Sequence, residues 1–297
     1  MLENYQGLAN EPTETKWNEV LRFFPLEMRQ PLTRVARELQ IKIIEIRLRL
    51  NQPLELNLGK ESRFLSMGGE VTADPRRGWI INSELFKKVI NAITTGSFYA
   101  LEEEMTQGFI TLPGGHRVGF TGHVLLAGGK VRLMRNISSL NFRIAKSVKG
   151  IARPVLPLLW QHNRILKTLI IAAPAAGKTT MLREIIRELS WGVTELAIPG
   201  IRVGVVDERS EIAGCFNGVP QLEMGPRTDV LDGCPKQEGV YMLLRSMNPQ
   251  VIATDEIGGA ADMRVIEDII NAGVGFIATA HAFDLNEALQ RPGLRAI

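Results

Sequence analysis

A short apolar run, Thr168-Leu169-Ile170-Ile171, leads into Ala172-Ala173-Pro174-Ala175-Ala176-Gly177-Lys178-Thr179-Thr180, and a helix-like run from Met181 to Leu189 follows. Strand, tight loop and helix in that order, with Gly-Lys-Thr at the hinge, restrict the surrounding fold to α/β layers. They also make a site for a nucleoside triphosphate. In such a loop, consecutive backbone N–H groups wrap the phosphates and the helix N-terminus adds its dipole. The lysine reaches the outer phosphates and the hydroxyl binds Mg²⁺. Gly177, Lys178 and Thr179 fill those roles, and Thr180 can donate to an inner phosphate. A buried strand before an ordinary helix would share the Gly-Lys-Thr, but the flanking elements favour the nucleotide. The loop departs from the full pattern at Ala172 and Ala175, where glycine is usual. If either position needs a positive φ, an L-residue costs about 1–2 kcal/mol.

Downstream, apolar strands and helical segments alternate: Leu166–Ile171, Thr179–Leu189, Arg202–Val206, Gly239–Met247, Val251–Thr254, Ala261–Ala272 and Phe276–Ala280. Alternation of this kind predicts right-handed βαβ units and a mostly parallel sheet. Gly214 to Lys236 is long, rich in Gly, Pro and Asp, and is expected to be a functional loop.

Three of these strands end in polar groups, and ligands in open α/β sheets sit at the carboxyl ends of strands. Val251-Ile252-Ala253-Thr254 ends in Asp255-Glu256. The aspartate suits a Mg²⁺ shell, and the glutamate suits an attacking water. Val205-Val206 ends in Asp207-Glu208-Arg209-Ser210-Glu211, and Phe276–Ala280 ends in His281. Solvated carboxylates at strand ends are common and a lone histidine is more often structural. It is the coincidence with the loop that gives these groups weight.

The first half of the chain has another character. Glu19–Leu39 has helical apolar spacing interrupted by Pro25 and Pro31, and Glu84–Thr95 has a second helical pattern. Ile44–Leu50 and Leu54–Leu58 alternate as a hairpin should. Glycine turns at Gly114-Gly115 and Gly128-Gly129 predict two more hairpins, Phe109–Phe120 and His123–Met134. Asn141–Ala145 reads as a short strand, and Lys146–Pro154 as a linker. The expected organisation is an α+β domain over 1–150 followed over 151–297 by an α/β domain with a mostly parallel sheet.

Composition narrows the class. Two cysteines without a CxxC argue against a disulfide framework or zinc site and fit a reducing, cytoplasmic setting. No apolar run approaches the roughly 20 residues that span a bilayer, and the polar, acidic stretch Met1–Lys16 excludes a signal peptide. Membrane contact is therefore expected through a partner. Residues 1–150 carry a net charge of +6 and 151–297 carry −3. The basic half suits nucleic acid, lipid headgroups or an acidic partner, but with no run of four basic residues a solvated surface is the favoured reading.

Together these segments resemble the secretion-superfamily ATPases, the hexameric motors of type II and type IV secretion and pilus systems. Their acidic box is similar to Asp207–Glu211, and their leucine-arginine segment to Leu244-Arg245-Ser246-Met247-Asn248-Pro249. Their Walker B glutamate falls on Glu256 and their threonine-x-histidine box on Thr279-Ala280-His281. Within that superfamily the stage III sporulation AA family of endospore formers has the most similar segments: Asp207–Gly214, Gly225–Gly233, Asp255–Gly258, Gly114–Gly119 and Asn141–Ala145. The resemblance implies a mother-cell ATPase, peripheral to the membrane, that energises the mother cell–forespore channel by acting on a membrane-anchored partner. It also implies a RecA-like P-loop ATPase domain over 151–297 lacking its last strands, partner or ring contacts made by 1–150, and a homo-oligomer, a hexamer, with ATP near subunit boundaries and an N-terminal arginine completing the site. Arg143 is the candidate, with Arg209, Arg227 and Arg245 as others; each could equally be an ordinary surface or salt-bridge residue.

The expected reaction is Mg²⁺-dependent ATP hydrolysis. Lys178 and loop residues Ala172–Thr180 bind the nucleotide, and Thr179 and Asp255 serve the metal. Glu256 activates water, Glu208 is the second-choice base, and Glu211 and His281 shape the γ-phosphate side. Flexing near Gly150 would couple the two halves. Two other functions fit the same loop: a nucleic-acid-stimulated motor, disfavoured by 6% aromatic content without stacking platforms, and a nucleotide-gated assembly scaffold with little hydrolysis.

Overall fold

A computed structural model of the chain describes residues 13–94, 108–174, 176–291 and 294. The described residues divide into two units, one ending at Lys146 and the other beginning at Ser147. The division falls four residues before the boundary read from the sequence.

The N-terminal unit holds α1 (Thr13–Leu21), α2 (Leu26–Thr33), α3 (Arg37–Lys42), β1 (Glu45–Arg49), β2 (Glu55–Asn57), β3 (Ser62–Leu65), β4 (Val71–Thr72), α4 (Ser83–Ile93), β5 (Phe109–Leu112), β6 (His116–Ala127) and β7 (Lys130–Arg143). Its strands form one antiparallel sheet in the order β4-β3-β2-β1-β7-β6-β5. In β1, Ile46 and Leu48 point into the core while Glu45, Arg47 and Arg49 stay outside. Arg49 pairs with Glu55 at 2.6 Å across the hairpin. The buried face meets Trp17, Val20, Phe24, Met28 and Leu32 from the helices. There Phe24 and Phe142 stack with ring centroids 4.5 Å apart. Pro25 separates α1 from α2 as expected, whereas Pro31 lies within α2 and does not interrupt it.

The two hairpins read separately share β6, a single 12-residue strand, and Asn141–Arg143 is the end of β7 rather than a strand of its own. The register shifts between Thr121 and His123, a β-bulge in which residues 136–138 of β7 face Gly122 alone.

The C-terminal unit continues with α5 (Leu156–Leu159), β8 (Trp160–Gln161), β9 (Arg164–Ile165), β10 (Thr168–Ala172), α6 (Lys178–Trp191), β11 (Val203–Asp207), β12 (Thr228–Asp232), α7 (Lys236–Ser246), β13 (Val251–Thr254), α8 (Ala260–Asn271), β14 (Gly275–His281) and α9 (Leu285–Gln290). Five strands form a parallel sheet in the order β10-β14-β13-β11-β12. β11 and β13 are buried at every position, as parallel strands covered on both faces must be. On one side pack Leu182, Ile185, Ile186 and Leu189 of α6. On the other pack Val240 and Leu243 of α7 and Val265, Ile266 and Ile269 of α8.

The Gly214–Lys236 segment is not a loop throughout, because it supplies the edge strand β12, whose Asp-rich, half-buried sequence hides its register against β11. The linker also differs from expectation. The Gly150 amide donates to Glu184, Lys149 pairs with Glu223 at 2.8 Å and Ala152 is buried. Residues 149–152 are thus fastened to the C-terminal unit, and Gly150 is not a free hinge.

Candidate active site

The parallel register sets Ala172 of β10 beside His281 of β14, and Thr254 of β13 beside Ala278. The carboxyl ends of the strands therefore deliver the loop, the histidine and the acid pair to one edge of the sheet, as open α/β sheets do.

Ala172 lies within β10 with no left-handed backbone, so its methyl group costs no strain. Ala175 falls outside the described residues. Gly177 precedes α6 at φ 91° with no side-chain cap on the helix. Glycine occupies that conformation without a Cβ penalty, and the uncapped first-turn amides are left for an anion. Lys178 is buried at 6% exposure. Its Nζ donates to the Ala173 carbonyl at 3.0 Å and to His281 Nδ1 at 2.9 Å.

An ammonium only donates, so His281 Nδ1 accepts and its Nε2 carries the proton. Nε2 then donates to Glu256 Oε1 at 2.7 Å. The other Glu256 oxygen pairs with Arg209. Lys178, His281, Glu256 and Arg209 thus form one continuous chain across three strand ends. Partial burial works to raise the Glu256 carboxyl. The hydrogen bond from His281 and the charges of Arg209 and Lys178 outweigh it and hold the group below the ordinary carboxylate range. Glu256 has φ 45°, an uncommon conformation for a non-glycine residue.

Asp255 makes the second link. Its Oδ2 accepts from Thr179 Oγ1 at 3.0 Å, and its Oδ1 accepts from Thr279 Oγ1 and from the Glu256 amide. A hydroxyl beside a carboxylate is the hard-oxygen pair that suits Mg²⁺, which keeps several waters and is usually held through few protein ligands. Among the described residues no cluster of three or more His, Cys, Asp or Glu makes a metal cage.

The acidic cluster divides its labour. Asp207, 1% exposed, accepts the amides of Glu211, Ile212 and Ala213 at 2.8–3.0 Å. It organises the turn rather than facing a ligand. Burial pushes its carboxyl up and those three amides oppose the shift. Glu208 pairs with Lys236 at 2.6 Å. Glu211 enters through its carbonyl, which accepts from Arg183 at 2.8 Å.

The arginines separate. Arg209 joins the chain at Glu256. Arg227 clasps the Ser190 carbonyl at 2.8 Å, and Arg245 lies over the Tyr241 ring. Arg143 belongs to the N-terminal unit, on β7, 3.9 Å from Glu45. Thr279 and Arg183 are positioning residues that reading by residue type passed over. Thr279 stood inside the threonine-x-histidine segment, but Arg183 sits on an amphipathic helix with no signal to separate it from surface arginines.

The profile of the family described as sporulation stage III, protein AA matches residues 14–297. Stage III sporulation protein AA of Bacillus subtilis (strain 168) is 40% identical over 280 residues, covering 94% of this chain and 86% of that protein. This chain belongs to the stage III sporulation protein AA family. Its fold is shared with solved ATPase structures. The Legionella pneumophila ATPase DotB superposes with a TM-score of 0.58 at 17% identity, covering 96% of this chain and 71% of that one. The Yersinia pseudotuberculosis ATPase DotB does so at 0.56 and 14%, covering 90% and 68%. This member of the sporulation family is thus built as a RecA-like α/β unit with an antiparallel α+β unit before it. No helix among its described residues is long and apolar enough to cross a membrane.

Proposed function

We propose that the chain hydrolyses ATP at the carboxyl edge of the parallel sheet. The observation that carries this reading is the hydrogen-bonded network joining the phosphate loop to the acid pair through His281 and Thr279. Lys178 is held by the weak acceptors Ala173 and His281, which phosphate oxygens would replace. The α6 N-terminus and loop amides take the remaining phosphate charge. Thr179 and Asp255 would hold Mg²⁺, which would neutralise charge on the transferring phosphoryl group. Glu256 stays ionised at neutral pH, so it can accept a proton from a water or orient it. His281, bridging Lys178 and Glu256, would report the state of the γ-phosphate to the acid pair. Glu208 and Glu211 are secondary groups on the same edge.

We further infer a hexameric ring on the mother-cell side, acting on a membrane-anchored channel partner, with Arg143 reaching a neighbouring site. With residues 149–152 fastened to the C-terminal unit, bending between the halves falls at Lys146–Val148 rather than at Gly150.

ATP turnover tests the reading. Lys178→Ala and Glu256→Gln should each lower turnover roughly 100-fold or more, with Glu256→Gln still binding nucleotide. Turnover equal to the parent in both variants would sink the assignment. Nucleotide binding without turnover in the parent would leave only the scaffold function.

A further inference from the structure

Beyond the bulge at Gly122, β6 and β7 leave the sheet. β5 pairs with β6 only as far as Gly119, and β1 pairs with β7 only as far as Ser139. Residues 123–127 and 130–135 continue as a two-stranded ribbon, with a turn at Gly128-Gly129. At about 3.3 Å per residue the arm reaches roughly 20 Å. The bulge is built in, because a Cβ at Gly122 would lie 2.7 Å from the Arg135 carbonyl oxygen and 2.9 Å from the Ile137 Cα. Bulges of this kind redirect a strand.

What the arm displays is unusual for a solvated ribbon. Val124 is 39% exposed, Leu126 66% and Val131 41%. Alternation along β6 puts Val124 and Leu126 on one face. Leu125, paired with Leu133, lies on the other. The exposed aliphatic residues share one face, since Leu126 pairs with Val131, while Leu125 and Leu133 are half-buried and Met134, opposite Val124, is buried. Its charged groups are all basic: Lys130, Arg132 and Arg135, with His123 opposite Arg135. No aspartate or glutamate occurs anywhere between Glu104 and Glu184.

We propose that this ribbon is a membrane-surface contact, its aliphatic tip entering the headgroup–acyl boundary of an anionic bilayer and its arginines pairing with lipid phosphates. An exposed aliphatic face whose flanking charges are all basic is complementary to the boundary of an anionic bilayer, which takes apolar and cationic groups together. Nucleic acid would use the charges but leave the aliphatic residues without a partner, and residues 121–137 contain no Phe, Tyr or Trp for stacking. The contact is made by the chain itself, independently of any channel partner and of the ATPase reading.

Flotation of the full chain with vesicles tests it. Vesicles of phosphatidylcholine with about 30% phosphatidylglycerol should carry the protein, pure phosphatidylcholine should not, and binding should weaken as salt screens the charges. Arg132→Gln with Arg135→Gln should bind roughly 30-fold more weakly. Leu126→Asp with Val131→Asp should abolish flotation while thermal unfolding stays at the parent's temperature. Hydrogen exchange on the parent, which needs no variant, should slow at 123–135 when anionic vesicles are added. The proposal is overturned if the parent does not float with anionic vesicles, or if it floats without protection at 123–135. Retention only by single-stranded DNA or by an acidic polypeptide overturns it too.

Discussion

Thr279 does more in the site than its type announces. It is fully buried, donates to Asp255 and accepts the Glu256 amide at 2.9 Å. Replacing it by valine keeps the shape but removes one of the two acceptors of that amide and the hydroxyl that donates to Asp255, which lets both acids drift. Thr279→Val should cost about 1–3 kcal/mol in denaturant unfolding and lower turnover, and Thr279→Ser should restore both. Lys178, Thr179, Asp255, Glu256 and His281 were legible as candidates because each follows an apolar strand or opens a helix. The tautomer of His281 and the clasp of Arg209 on Glu256 were not, since both depend on neighbours brought from distant strands. Ala172 shows the converse. Its departure from the loop pattern is visible in the sequence, and its harmlessness to the backbone follows only from its place inside β10.

The segment Gly225–Arg227 determines how β12 joins the sheet. Gly225 has φ +85°, and a Cβ there would lie 2.6 Å from Ser190 Cβ. The Arg227 amide donates to Ser190 Oγ at 2.7 Å. Gly225→Ala therefore meets both a left-handed penalty and a clash with the end of α6, and should destabilise by more than about 2 kcal/mol, read by urea unfolding. The segment read as a loop because Gly, Pro and Asp mask a strand whose partners lie elsewhere in the chain.

In the other unit, the β5–β6 hairpin buries His116 completely. Its Nδ1 accepts the Ala145 amide at 3.2 Å, and Nε2 stands 3.6 Å from Glu19. Burial first, then the charge of Lys16, push its pKa down to about 4 against a weaker pull from Glu19. The unfolded chain protonates this histidine near pH 6.5, whereas the folded chain does so only near pH 4. Between those values the unfolded state holds the extra proton, so stability falls as pH falls. Urea unfolding should show a loss of about 2 kcal/mol between about pH 7 and pH 4.5 that is absent in His116→Gln.

At the scale of the full chain, the hexamer proposal is open to a direct mass measurement. Native mass spectrometry with a non-hydrolysable ATP analogue should give six chain masses. A monomer with and without the analogue would count against a ring motor.

Apolar periodicity and strand-end chemistry were enough for the division into an α+β part and a parallel α/β part, and for the loop and its acids, because these are local patterns. Strand order, the fusion of two hairpins into one long strand, the anchored linker and the Lys178–His281–Glu256–Arg209 chain were decided by the tertiary structure. Each depends on contacts between residues far apart in the chain, which no local pattern encodes.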